Sequence, residues 1–372
     1  MRLLSFLLSA IAVSAQSTGF LPTPRDFWPY TNKTIPAQLA TENIEANFVS
    51  TKFGIDAPQL SAVNSTSFEW WYFDAISDDS LSSVTVIFFT STETAFPLVS
   101  SPNITTSIVL NYMFPNGTSG YHELYAEEAV VETVGSGSSG NWVGTGISWK
   151  GSPDLSSYNL TIDNSTIGIK GTINLITQSP AHYPCSPDEA DQTMIVAPHI
   201  GWSNAVPDAD ATVDWDINGS KLVFNGTGYH DKNWGDRPFN SSIKSWYWGR
   251  GRIGPYKIVW IDGVPVEGEE FFSAFASRDG LIMGTTCSFT TLVVRPLESL
   301  YPPTLETSEP KGFSIVMDLG DEGILAANIT AIRTLVDASP MYSRWGGRLA
   351  GAMNKGDEEL GGHGVYEQFI FV

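Results

Sequence analysis

Positive charge is scarce in this chain: 20 Lys and Arg stand against 40 Asp and Glu, a formal charge of -20 over 372 residues. A surface of that sign repels phosphate backbones and anionic lipid heads, which argues against nucleic acid and membrane surfaces as partners. Cysteine is nearly absent, with Cys185 and Cys287 alone, and neither sits in a C-x-x-C pair. The five histidines show no H-E-x-x-H spacing, so no metal is expected. A G-x-S-x-G elbow is missing, which excludes the usual serine hydrolase. No glycine-rich loop follows a strand to cradle a nucleotide, and the residues call for no cofactor. Sustained helical stripes are lacking too, apart from a weak one over 342–353.

What is present points to export. Met1-Arg2, an apolar run over 3–13 and the small residues Val13-Ser14-Ala15 read as a signal peptide, residues 1–15. The run is well short of the ~20 residues that span a bilayer, so no membrane anchor is expected after cleavage. Ten Asn-x-Ser/Thr acceptors stand at Asn32, Asn64, Asn103, Asn116, Asn159, Asn164, Asn218, Asn225, Asn240 and Asn328. They predict N-glycans on surface loops of a protein that is secreted or held in a vesicle. In that oxidising compartment Cys185 and Cys287 pair most simply as one disulfide; two separate buried thiols are the alternative.

Short β-branched runs at 83–90, 107–114, 158–163 and 167–177 predict strands, and the second half repeats the habit from 212 to 372. Asn-Gly at 116–117, 218–219 and 225–226 and Asp-Gly at 262–263 and 279–280 predict tight hairpins. Gly135 to Gly140, GSGSSG, reads as a flexible loop. Many antiparallel strands without βαβ spacing argue for an all-β protein of barrels or sandwiches. The length suits two units: an extended arm over 16–40, then 41–205 and 206–372.

Two segments carry the chemistry. In FEWWYFDA, 68–75, strand alternation puts Glu69, Trp71 and Phe73 on one face and Trp70, Tyr72 and Asp74 on the other. A buried acid beside indole has a raised pKa, which makes Glu69 a candidate proton donor; the alternative is a core strand whose Glu69 answers a buried Arg or backbone amide. In GTGYHDKNWGDRPF, 226–239, Tyr229, Asp231 and Asn233 share a face, so a phenol, a carboxyl and an amide converge, while His230 points away. Trp246 and Trp248 lie on one side of a third strand. They wall an apolar ligand or pack a core, and Arg250 beside them either neutralises Glu69 or Asp231 or grips a ligand oxygen.

At these residues the chain resembles the lipocalin-like family that includes carotenoid 1,2-hydratases and fungal Diels-Alderases. The likeness rests on EWWYFD at 69–74, G-x-G-Y-x-D-x-N-W-G at 226–235 and GHGVYE at 362–367. It implies two lipocalin-like β-domains side by side, a pocket in or between them, and no cofactor. The family's hydratase members use an aspartate, a tyrosine and a tryptophan for acid catalysis, matched here by Asp231, Tyr229 and Trp202; beside these, Glu69 is the further catalytic candidate, and Trp202 joins Trp71, Phe73, Asn233, Trp246, Trp248 and Arg250 as the substrate-binding set. With export and glycosylation, the likeness implies a hetero-Diels-Alderase that joins an o-quinone methide, tropolone or polyketide derived, to a terpene alkene such as a humulene-type ring. The rivals are a hydratase, dehydratase or isomerase of a terpenoid or polyene, and a non-catalytic glycoprotein that binds hydrophobic small molecules.

Overall fold

The computed structural model describes residues 28–288, 290–354 and 356–372. The signal peptide and residues 16–27 of the arm lie outside this range. The protein is all-β, with two antiparallel sheets, one of them curled into a half-barrel.

The first sheet takes β1 (Tyr30–Pro36), β2 (Phe68–Ser77), β3 (Ser83–Thr90), β4 (Thr106–Met113), β5 (Ser119–Tyr125), β6 (Glu128–Val134), β7 (Gly137–Trp142), β8 (Ile147–Gly151), β9 (Ser157–Asn164), β10 (Ile169–Thr177), β11 (Ile195–Ala197), β12 (Ile200–Ile217) and β13 (Ser220–Gly235). After the one-turn helix α1 (Phe239–Ser242), the second takes β14 (Ile243–Ile253), β15 (Tyr256–Pro265), β16 (Phe271–Arg278), β17 (Leu281–Thr286), β18 (Leu292–Pro296), β19 (Gly312–Asp318), β20 (Ile324–Ala338), β21 (Tyr342–Ala352) and β22 (Leu360–Ile370). The order β12-β13-β2-β3 runs through the first sheet and β14-β22-β21 through the second. The sheets therefore divide at 236–242. The expected boundary between 205 and 206 falls inside β12, which runs on to Ile217.

Burial explains the sequence of these central strands. Every residue of β2 is buried, as are Tyr229 to Gly235 of β13, because one face packs into the core of the first sheet and the other against the second sheet. A strand covered on both faces has no use for polar alternation, hence the run FEWWYF. A third apolar cluster fills the second sheet. The disulfide Cys185–Cys287 joins the loop before β11 to the segment after β17, with Cα atoms 5.0 Å apart.

Several local expectations give way to packing. Asn116-Gly117, Asn218-Gly219 and Asp279-Gly280 do turn hairpins, but Asn225-Gly226 and Asp262-Gly263 lie inside β13 and β15. A Cβ at Gly226 would sit 2.0 Å from the Ile76 carbonyl oxygen, so this glycine serves close strand approach rather than a turn. In the GSGSSG segment the residues from Gly137 onward form β7, where the Trp149 ring covers Gly140. The 342–353 stretch is strand β21, not helix. Seven of the ten glycosylation acceptors are exposed; Asn64, Asn159 and Asn164 are half-buried. The amide nitrogens of Asn159 and Asn164 are engaged with Asn174 and the Thr145 carbonyl.

Candidate active site

β2 and β13 pair so that Asp74 faces Tyr229, Tyr72 faces Asp231 and Trp70 faces Asn233. Alternation turns these six side chains toward the second sheet. There β14 and β22 set Trp246 opposite Phe369 and Trp248 opposite Glu367, and β21 adds Tyr342 and Arg344. Between the sheets lies a cavity of about 570 Å³, walled on one side by Trp70, Tyr72, Trp202, Asp231 and Asn233 and on the other by Trp246, Trp248, Phe369, Tyr342, Arg344 and Glu367. That volume suits a small organic molecule.

Asp231 is the carboxyl of this wall. Its Oδ2 accepts the indole N–H of Trp202 at 2.7 Å and the hydroxyl of Tyr229 at 2.8 Å; among the described residues its Oδ1 accepts no side-chain hydrogen bond. Burial pushes the carboxyl up to about 7, against the pull of both donors, so a large share is neutral at physiological pH. With Oδ2 occupied as a double acceptor, the proton resides on Oδ1. Tyr229 is held far above the usual phenol range by burial and remains a donor. Its oxygen also contacts the Asn204 side-chain carbonyl oxygen, yet one hydroxyl hydrogen serves one acceptor, and the Asn204 Nδ2 has no partner. Turning the amide over resolves both: Asn204 donates to Tyr229, and Tyr229 donates to Asp231.

A second carboxyl stands across the cavity. Glu367 Oε2 accepts Tyr342 Oη at 2.8 Å and Arg344 Nε and Nη2 at 3.2 and 3.1 Å, while among the described residues Oε1 accepts no side-chain hydrogen bond. Burial raises the Glu367 carboxyl and the Arg344 guanidinium pulls it back. The two acids are thus held alike, one oxygen tied and one free. Asp231 has only neutral donors, whereas Glu367 has a permanent cation at its side.

The chain matches the Diels-Alderase-like family over residues 34–292. It belongs to that family. Quinolone epoxide rearrangement protein asqO of Emericella nidulans is 35% identical over 340 residues, 90% of this chain and 92% of asqO. The protein penF of Penicillium thymicola, described in the same words, is 35% identical over 347 residues, 90% of this chain and 94% of penF. Other relatives are named Diels-Alderases. The solved structure of CghA has a TM-score of 0.75 at 21% identity, covering 91% of this chain and 98% of CghA, a likeness of fold. The protein is an enzyme of a family of pericyclases and rearrangement proteins.

Within this family member, Asp231, Asn233, Trp202, Trp246 and Trp248 meet at the cavity, and Tyr229 supports Asp231 from behind. Glu69, Trp71 and Phe73 do not reach it. Glu69 lies on the inner face of β2 in a buried ion pair with Lys232 and accepts the Gln59 N–H at 2.6 Å. The Lys232 ammonium rests 4.9 Å from the Trp71 ring and 4.6 Å from the Trp234 ring, and Phe73 stacks on His230. Arg250 pairs with neither Glu69 nor Asp231. It is buried against Asp74 and donates to Thr227 Oγ1 at 3.1 Å.

Parity held the signal for Glu69: Lys232 alternates away from Asp231, so its counter-charge must come from the Glu69 face of β2. Tyr342 and Arg344 were hidden in a stretch read as helical. Glu367 closes the GHGVYE motif, but only the pairing of β22 with β14 brings it to the cavity.

Proposed function

We propose that this enzyme isomerises an epoxide without a cofactor, with Asp231 as general acid. A single observation carries the reading: a buried carboxyl, its Oδ2 held by Trp202 and Tyr229, lines an aromatic-walled cavity. The Asp231 proton passes to the epoxide oxygen as one C–O bond breaks. The carbocation left behind faces the rings of Trp202, Trp246 and Trp248, whose negative faces favour it. A neighbouring group migrates to that carbon, a carbonyl forms, and the hydroxyl proton returns to Asp231. Atoms balance with no second reactant. The epoxide rearrangement for which both 35%-identical relatives are named supports this choice, and a quinolone epoxide is the substrate to try first. General acid catalysis of this kind contributes about 10²- to 10⁴-fold. With such a substrate, Asp231→Asn should lose at least about a hundredfold in kcat; an undiminished isomerisation rate would refute the assignment.

A second reading is the hetero-Diels-Alder union of an o-quinone methide with a terpene alkene. It is favoured by aromatic walls on both sheets, able to press a flat electrophile against a hydrocarbon, and by the relatives named Diels-Alderases. There Asp231 would assist departure of a hydroxyl, and orientation would supply most of the rate. Under this reading Trp246→Ala changes the stereochemical ratio of cycloadducts while Asp231→Asn only slows their formation. In either case the protein works in the secretory pathway with glycans on its exposed acceptors; a shift in mass on treatment with an N-glycosidase checks this.

A further inference from the structure

We infer that the Glu367–Arg344 edge of the cavity seats a cyclic secondary amide, the polar head of the substrate, while the reacting carbon lies at Asp231. This rests on the cavity being the substrate site. Three donors converge on Glu367 Oε2, leaving Oε1 with none, and Glu367 lines the cavity. That oxygen is open to the cavity, so a ligand N–H or O–H can donate to it in place of water.

Arg344 narrows the choice. A guanidinium has five N–H groups, and three are used, two on Glu367 and one on Thr85 Oγ1 at 3.0 Å. Two remain, on a residue that is paired with Glu367 and itself lines the cavity. The edge therefore offers an acceptor next to a donor. A ring amide locked in the cis form presents the complementary pair, N–H beside C=O, on one side of a flat molecule. A hydrocarbon polyene leaves both groups of the protein unpaired, and a simple phenol satisfies only one pattern at a time.

The guanidinium is pre-set for this. Its plane sits 4.8 Å over the Tyr72 ring, and Tyr72 is fixed in turn by its 2.6 Å hydrogen bond to Asp74. A site built around a substrate N–H rejects analogues that lack it far more strongly than an apolar pocket rejects a missing methylene.

The test uses 2-quinolone and N-methyl-2-quinolone as probes, read by quenching of the cavity tryptophans in the full-length protein. The wild type should bind 2-quinolone at least about tenfold more tightly, the size of one charge-assisted hydrogen bond. Glu367→Gln should shrink the preference to about threefold or less by the same measure. Equal affinities in the wild type, or no quenching by 2-quinolone, would overturn the inference, as would a Glu367→Gln protein that keeps the full preference. The wild-type comparison decides even if the variant does not fold. Turnover of an epoxide that depends on Asp231, with no penalty for N-methylation, sinks the amide seat and leaves the acid mechanism standing. N-methyl discrimination without turnover does the reverse.

Discussion

Replacing Asp231 by Asn should produce a protein that is at least about a hundredfold slower yet more stable than the wild type above neutral pH. The carboxyl rises from 3.8 to about 7 on folding, mainly through burial. Because the folded-state pKa is the higher one, the folded protein retains a proton that the unfolded chain releases. The stability this confers is complete below about pH 4 and is lost as the pH rises through about 7. Roughly three pKa units at 1.36 kcal/mol each set an upper limit of about 4 kcal/mol on the penalty of ionising Asp231 in place. Asparagine never ionises, and its amide oxygen can still accept from Trp202 and Tyr229. At pH 4 the two proteins should melt together. At pH 8 the variant should melt higher by as much as about 5 °C, taking an unfolding entropy of roughly 0.8 kcal/mol/K for a chain of this length. Calorimetry at the two pH values, with turnover measured in parallel, checks both halves. A melting difference that is the same at pH 4 and pH 8, or a variant less stable at pH 8, would refute a buried neutral acid at this position.

Trp202→Phe removes the 2.7 Å indole donor that stabilises the Asp231 anion. The alkaline limb of the kcat/KM profile should therefore move to higher pH, by about half to one unit; an unmoved limb speaks against that hydrogen bond. Glu69→Gln strands the buried Lys232 ammonium and should cost about 3–5 kcal/mol in thermal or denaturant unfolding while kcat/KM stays the same. A loss of activity at undiminished stability would return Glu69 to the site. Replacing both Cys185 and Cys287 by Ser opens a loop of sequence separation 102 and should lower stability by about 4–5 kcal/mol. Equal melting of the oxidised and reduced wild type would contradict this.

The β-class of the protein and the partition of its motifs into faces were legible in the amino-acid order, since both follow from local properties. Branched residues stiffen extended backbone, and side chains alternate whatever lies above them. Tyr229, Asp231 and Asn233 were grouped by that rule, and so were Trp246 and Trp248. Which face of β2 meets the ligand was a different matter. Both of its faces are aromatic and each holds a carboxyl, Glu69 on one and Asp74 on the other. The choice fell to the second sheet, which covers the Trp70–Tyr72–Asp74 side, and to Lys232, which claims Glu69 for the core. Asn225-Gly226 and Asp262-Gly263 spell the same turn as Asn218-Gly219, yet neighbours pressed against their glycines keep them in strand. Glu367 and Arg344 reach the cavity because β22 and β21 pair beside β14, a contact between distant parts of the chain. Local pattern records how each strand divides its side chains; long-range pairing selects the half that faces the cavity, because burial free energy is settled between sheets and not within one.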